Sequence, residues 1–369
     1  MKFSCYKSDL TEALQFAIRA VAVKPMTPIL SGIYLKAEGS VLEVQTNNFS
    51  TGIITYIPVH TEIAGSAVVS GKRFQEFVRN MPDDTITFSD ENDDNMLAIT
   101  SGGASVELLT MPAGDFPKVK TPDTDKSFKV PSTVLSDLIR KTVFAVAKEN
   151  DRPVFTGCCF EMKDNKITLV ATNTHRLALA KAALEDSFEE CSFIVPAETL
   201  RGLLNRLEHN NMDDFVTIKY STRYTTFTFD NVFVNSRLVE GVFPPYDKVI
   251  PDSSTTHVTV ETADFKRVVE FVSLMSKETE YNTVKLKFAD GGIEISSNSP
   301  EVGGAVQNVE ASIEGDDLEI SFNVDYIADV LRVIDSSQVD IALNDKYSPA
   351  AFTEPANNDY IYIATPVRA

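Results

Sequence analysis

The side chains able to do chemistry are few and scattered. His60, His175, His209 and His257 stand apart along the chain without metal-ligand spacing. Cys5, Cys158, Cys159 and Cys191 form no CxxC pair, and the vicinal Cys158-Cys159 sits in an apolar stretch, where two small buried residues are expected. The acidic run from Asp90 to Asn95 lacks the Gly and Glu spacing of a calcium loop and reads as a solvated turn. Gly102-Gly103 and Gly303-Gly304 read as turns, and no GxxxxGK, GxGxxG, HExxH or GxSxG occurs. The Asn48-Phe49-Ser50 sequon carries no meaning in a cytoplasmic protein. With no shared polar constellation, catalysis has no residue set behind it. No metal and no cofactor is expected, and a binding or structural role is the stronger class.

What does recur is hydrophobic. In Lys126 to Ala147, Phe128-Lys129-Val130 alternates as a strand, Ser132 can cap a helix, and Leu135, Leu138, Ile139 and Val143 fall at helical spacing. The same pattern opens the chain as Phe3, Leu10, Ala13, Leu14 and Ile18, each 125 positions earlier. It returns as Val258, Phe265, Val268 and Val269. A period this long is a whole domain used three times, not a solenoid unit. The expected domains are 1–126, 127–253 and 254–369, each long enough to bury its own core.

Each copy reads as two halves of strand, helix and antiparallel strands. In the first, a turn at Lys24-Pro25-Met26-Thr27-Pro28 precedes a hairpin through Ile33 and Leu35, then Leu42, Val44 and Thr46. Val68-Val69-Ser70 then leads into a helix with Phe74, Phe77 and Val78 on one face, halted by Pro82. Leu200, Leu203 and Leu204 repeat that helix in copy two, and Ile327, Val330 and Leu331 in copy three. Helix faces and sheet faces must each be covered, so antiparallel sheets backed by two helices per copy is the economical packing.

The 369 residues carry a net charge of −19, which argues against phosphate binding until the distribution is considered. The six expected helices (9–20, 71–80, 132–147, 197–207, 262–275 and 324–334) hold 11 basic and 9 acidic residues, a balance of +2 that leaves −21 for the rest. No run of 18 apolar residues occurs, and MKFSCYKSDL lacks an apolar signal core, so a cytoplasmic protein with no membrane partner is expected.

One motif is specific. Ala171-Thr172-Asn173-Thr174-His175-Arg176-Leu177-Ala178, with Phe243-Pro244-Pro245-Tyr246, Phe322-Asn323-Val324-Asp325-Tyr326 and the terminal Thr365-Pro366-Val367-Arg368-Ala369, closely resembles the beta subunits of bacterial DNA polymerase III, the sliding clamps. The resemblance runs over the whole chain. It implies an α+β fold of three DNA-clamp domains, each two βαβββ halves with two helices backed by antiparallel sheets. It further implies a head-to-tail homodimer that closes a six-domain ring around double-stranded DNA. Twelve helices at ~9 Å spacing would give a ring of ~35 Å diameter through their axes, leaving an opening of ~25 Å.

By the same resemblance, DNA is approached by Lys24, Arg73 and Glu149 or Asn150, with Lys72 and Arg79 as additions from Arg73's helix. Ala197 and Glu198 stand where the family commonly carries basic residues, which leaves Arg201 as a substitute. A peptide-binding groove is implied at Phe155, Thr172, Thr174, His175, Arg176, Leu177, Pro244, Lys248 and Val249, completed by Tyr326, Ser348 or Pro349, and Thr365, Pro366, Val367 and Arg368. Arg176, His175 and Arg368 would form its polar edge, and Thr365 and Val367 replace methionines common in the family. The subunit joint is implied at Leu274 and Met275 against Val106 and Leu108. Implied partners are the polymerase III alpha subunit and other polymerases, the clamp loader, and repair proteins with clamp-binding motifs. The rival reading is an adaptor of the same fold that binds protein motifs or a small molecule without encircling DNA.

Overall fold

The computed structural model describes every residue except 91–94, 122–123, 125, 149–151, 186–187, 209–213, 276–281, 290, 300–302, 356 and 368–369. Copy one runs β1 (Lys2–Tyr6), α1 (Lys7–Ala17), β2 (Gly32–Glu38), β3 (Val41–Asn47), β4 (Thr51–Pro58) and a short β5 (His60–Ile63). Its second half is β6 (Gly65–Ser70), α2 (Gly71–Asn80), β7 (Thr85–Ser89), β8 (Met96–Ser101) and β9 (Ala104–Met111). Copy two follows the same order. Its first half is β10 (Ser127–Pro131), α3 (Ser132–Thr142), β11 (Gly157–Lys163), β12 (Lys166–Thr172) and β13 (Arg176–Ala183). Its second is β14 (Cys191–Pro196), α4 (Ala197–Leu207), β15 (Phe215–Tyr220), β16 (Tyr224–Phe229) and β17 (Val232–Arg237). Copy three has β18 (Thr256–Glu261), α5 (Thr262–Ser273), β19 (Thr283–Ala289), β20 (Gly292–Ser299) and β21 (Gly303–Glu314). It closes with β22 (Leu318–Asn323), α6 (Val324–Val333), β23 (Gln338–Leu343), β24 (Ala350–Glu354) and β25 (Asn357–Ala364). Apart from β5, every half is βαβββ, as the repeat predicts.

Periodicity explains the elements. In α1 the buried positions include Leu10, Ala13, Leu14 and Ala17, one stripe at helical spacing, and β1 buries Phe3 and Cys5 alternately. The core of copy one is aromatic: Phe3 stacks on Phe88 at 4.6 Å between ring centres, and Phe74 meets Phe88 at 6.0 Å. Phe77 departs from expectation. It is 40% exposed, because the helix contributes only Phe74 and Val78 to the core, together with Gly71 at its start.

Ser132 does not cap its helix: its hydroxyl is buried and has no hydrogen-bond partner among the described residues. All six α-helices among the described residues instead start directly off a strand, and in four of them a distant backbone carbonyl receives the first helical N–H. Lys7 donates to Asp84 (2.7 Å), Ser132 to Asp214, Thr262 to Ser337 and Val324 to Asn282 (each 2.8 Å). These carbonyls each satisfy one orphan donor, and at α6 the Asn323 side chain satisfies a second by accepting the Asp325 N–H at 2.9 Å.

The chain packs as two compact units, Met1–Leu135 with Arg201–Leu238, and Ser136–Leu200 with Val239–Ala369. The division cuts through copy two because sheets run across the copy boundaries. In the first unit a 13-stranded antiparallel sheet joins copies where β17 pairs with β4, Val232 to Ser236 lying opposite Thr55 to Thr51. In the second, a 12-stranded sheet joins them where β13 pairs with β25, Arg176 to Ala180 lying opposite Ala364 to Tyr360. Side chains reinforce each joint. Arg206 of α4 reaches Glu12 of α1 at 2.6 Å. Arg140 of α3 reaches Asp335 at 2.5 Å, and buried Lys141 lies 3.4 Å from buried Glu354.

Ile363, 1% exposed, sits opposite Leu177 at the second joint within one apolar cluster. Ile363→Ala should therefore lower stability by about 2–4 kcal/mol. Urea unfolding followed by circular dichroism would read this as an earlier transition, and an unshifted midpoint would show that the joint tolerates the cavity.

Candidate functional site

The turn that carries the specific motif is built by its own side chains. Asn173 Oδ1 accepts the backbone N–H groups of His175 and Arg176 at 3.0 Å each, an Asx turn that lets Thr174 take φ +77°. Thr172 Oγ1 donates to the Arg176 carbonyl at 2.6 Å and accepts from Thr174 N at 3.1 Å. The C-terminal strand docks on this turn, since both the N–H and the hydroxyl of Thr365 donate to the His175 carbonyl (2.9 and 2.8 Å). Val367 N–H donates to Ser321 at 2.8 Å.

Arg176 is not a free polar edge. It is buried, its Nη1 donates to Asp329 at 2.7 Å, and its Nη2 donates to the Phe144 carbonyl. The guanidinium lies 4.6 Å from the Tyr326 ring centre and 5.5 Å from that of Phe144. Burial alone would lower its pKa, but Tyr362 and Asp329 outweigh that, so the group is held above its ordinary value and stays charged. Arg176 therefore organises the turn, while exposed His175 and Thr174 remain on the surface.

Two surfaces flank this turn. A polar cavity of ≈ 800 Å³ brings together Thr174, His175, Arg176 and Tyr326, along with Lys148, Asp325 and Asp329. Separately, Leu177 belongs to a buried cluster with Cys159, Val170, Leu179, Ile194, Ala351 and Ile363, against which Val154, Phe243, Tyr246 and Ile250 are only partly buried. Phe155 is buried and meets Phe243 edge-on at 6.1 Å. Pro244, Ser348, Pro349, Thr365, Pro366 and Val367 are half-buried, whereas Lys248 and Val249 are exposed. Asp345 fixes Ser348 by bonding the Tyr347 N–H and the Ser348 hydroxyl, which also lowers its own pKa. Sequence reasoning missed Phe243, Tyr246 and Asp329. The first two stand in the quoted Phe-Pro-Pro-Tyr motif, and Asp329 is three residues beyond Tyr326 on one helix, spacing that shares a face. Arg368 lies outside the described residues.

The basic residues divide sharply. Among helix cations, Arg140, Lys141, Arg206, Arg267 and Arg332 are each paired with carboxylates. Lys72, Arg73 and Arg79 on α2 are exposed and make no ion pair with the described residues. Lys24 is exposed at φ +51°, and Arg201 is exposed on α4. Glu149 and Asn150 lie outside the described residues.

Two strand edges remain open. Ala104–Leu109 of β9 pairs only with β8, and Gly303–Glu310 of β21 only with β20, among the described residues. Leu108 is buried in its own domain at 8% exposure, while Leu109 is 74% exposed and Val106 half-buried. Leu274, just past α5, is 60% exposed and Met275 half-buried, so Leu274 is not ordinary helix core.

Burial pushes the Cys5 and Cys159 thiols each up to about 12, away from thiolate reactivity. Among the described residues no cluster of His, Cys, Asp and Glu could hold a metal, and no helix is long and apolar enough to cross a membrane.

Comparison with known proteins covers the full length. The N-terminal, central and C-terminal domains described for the DNA polymerase III beta subunit match residues 1–120, 129–245 and 247–368. The chain is 32% identical to the beta sliding clamp of Bacillus subtilis and 30% identical to that of Halalkalibacterium halodurans, covering 100% of each and of itself. Among solved structures, the Bacillus subtilis DNA polymerase sliding clamp superposes with a TM-score of 0.93 at 30% identity, over 100% of this chain and 99% of that one. A sliding clamp from Pseudomonas aeruginosa bound to griselimycin gives 0.92 at 27% identity, over 100% of both chains.

Asp329 is the only carboxylate bonded to Arg176 among the described residues. Asp329→Ala should therefore cost about 2 kcal/mol, less than for a fully enclosed pair because Asp329 keeps some exposure. Thermal unfolding would register the loss, and a variant as stable as the parent would show that Arg176 is satisfied without it.

Proposed function

The chain belongs to the DNA polymerase III beta subunit family, and from that premise we propose that it works as a non-catalytic sliding clamp of three domains, 1–126, 127–253 and 254–369. Two subunits close head to tail around duplex DNA, and the ring tethers polymerases by topology. The observation that carries this reading is the pair of open edges. Inside the chain, the fourth strand of a first half pairs with the last strand of the next copy, β4 with β17 and β13 with β25. The corresponding strands left over are β21 and β9.

The register of the first joint carries along the repeat. Ile53 lies opposite Thr46 in its hairpin as Ala305 lies opposite Ser297, and Val234 lies opposite Phe227 as Val106 lies opposite Ile99. Ile53 pairs with Val234, so Ala305 is set opposite Val106 of a second copy. Such a contact is heterologous and closes only if its rotation fits, which two three-domain subunits achieve. Exposed Leu274 would be covered at the same joint.

DNA is held by Lys24, Lys72, Arg73, Arg79 and Arg201, and by family resemblance by Glu149 or Asn150, which lie outside the described residues. Few cations suit a ring that must slide, since phosphate contacts position without reading bases. The acidic remainder of the chain repels DNA elsewhere. The groove beside the 172–177 turn receives short motifs with an aliphatic or aromatic end, carried by polymerase III alpha and other polymerases, the clamp loader and repair proteins. The half-buried aromatic and aliphatic side chains Phe243, Tyr246 and Ile250 suit such an end.

Loaded on DNA, the protein should persist on nicked circles and leave the same molecule once it is linearised. Equal loss from both would reject encirclement and favour the adaptor reading. Leu274→Asp combined with Met275→Asp should give folded monomers, because unpaired charge would be buried at the joint. Light scattering that still reports a dimer would show the interface lies elsewhere.

A further inference from the structure

The repeat leaves a second cavity with chemistry of its own. In the first unit, the segment Pro117–Thr121 passes beside the first joint and is strapped down on both sides. Asn47 Nδ2 donates to the Pro117 carbonyl at 2.8 Å, Val119 N–H donates to Gln45 Oε1 at 3.2 Å, and Asn235 donates to the Lys120 carbonyl. Val119 also fills the space above Gly52, where a Cβ would stand 2.7 Å from its methyl groups. Between this strap, the 47–52 turn and the 221–224 turn lies a cavity of ≈ 640 Å³.

Its surfaces are of two kinds. Phe49, Tyr224, Pro117 and Val119 supply apolar area, and Lys118, Lys120 and Arg223 stand exposed on the rim. Phe49 is 61% exposed at φ +69°, a conformation rare for a bulky residue, and it is held there by its N–H bond to Asn47 Oδ1 at 2.8 Å. Three cations line the cavity with no carboxylate among the described residues, in a chain whose net charge is −19. Neither Lys120 nor Arg223 makes an ion pair with the described residues, and Lys118 lies over the Tyr34 ring at 5.3 Å.

We propose that this cavity is a docking groove for a short acidic peptide that carries an aromatic side chain. The side chain enters between Phe49, Val119 and Tyr224, and the flanking carboxylates meet Lys120, Arg223 and Lys118. Its volume lies in the range of small binding sites and suits two or three side chains. The acidic remainder of the chain repels such a peptide, so the cationic rim gives the groove its selectivity. The three cations gather around one cavity and do not form a track, which favours a peptide over the extended backbone of a single-stranded nucleic acid. The inference does not depend on ring closure or on the groove beside the 172–177 turn.

The test is fluorescence anisotropy on the full chain with a fluorescein-labelled pentapeptide, Glu-Asp-Phe-Asp-Glu, at low and high salt. Saturable binding below about 1 mM that weakens with salt is expected. Lys120→Glu with Arg223→Glu, and separately Tyr224→Ala, should each weaken it by about tenfold or more while circular dichroism stays unchanged. No saturable binding, equal binding of a Gln-Asn-Phe-Asn-Gln peptide, or indifference to the substitutions would each overturn the proposal. Tighter binding of a labelled oligo-dT, lost in the same variants, would overturn the choice of a peptide as occupant.

Discussion

The rest of the structure depends on strand pairing between neighbouring copies. At both internal joints, five residues of one copy line up antiparallel with five of the next. Main-chain hydrogen bonds ask little of side-chain identity, so the copies can differ in sequence and still meet in the same way. Direction comes from what is added on the helix side. Arg206 with Glu12 at one joint, and Arg140 and Lys141 with Asp335 and Glu354 at the other, fix how the helices lie. A buried pair such as Lys141 with Glu354 adds little net stability after desolvation, and its use is orientation. The same logic leaves the edges of β9 and β21 unsatisfied, and an open edge is a site for pairing.

Charge follows from this arrangement. Helix cations near the joints are consumed by carboxylates, which leaves α2 with Lys72, Arg73 and Arg79 exposed. A few exposed cations on an acidic protein hold phosphates weakly and release them easily. Persistence on DNA must then come from closure and not from grip. The side chains of the 172–177 turn serve a different purpose, since Arg176 is committed inward and the partly buried Phe243, Tyr246 and Ile250 beside it offer contact area.

Much of this was legible in the sequence. Periodicity located the six α-helices of the described residues, and the 125-residue offset announced that the copies share a layout, which the structure extends to the 3-10 turns at Pro28–Ser31 and Pro153–Thr156. What stayed hidden depends on partners distant in the chain. Ser132 looked like a helix cap because the carbonyl of Asp214, which takes that role, is 82 residues away. Phe77 fits the helical stripe, yet the core ends at Phe74 and Val78. Arg176 reads as a surface cation until Asp329 and the Phe144 carbonyl are seen to enclose it. On β9, alternation alone could not tell that Leu108 faces inward and Leu109 outward. The cationic cavity beside the first joint has no motif at all, since its residues come from two turns, the 117–121 strap and Asn235, far apart in the chain.

The most direct measurement is an electron micrograph of single particles in solution. Closed annuli with a central opening of about 25 Å, the size set by twelve helices side by side, are the predicted result. Crescents or solid particles without a hole would contradict the claim that topology holds this protein on DNA.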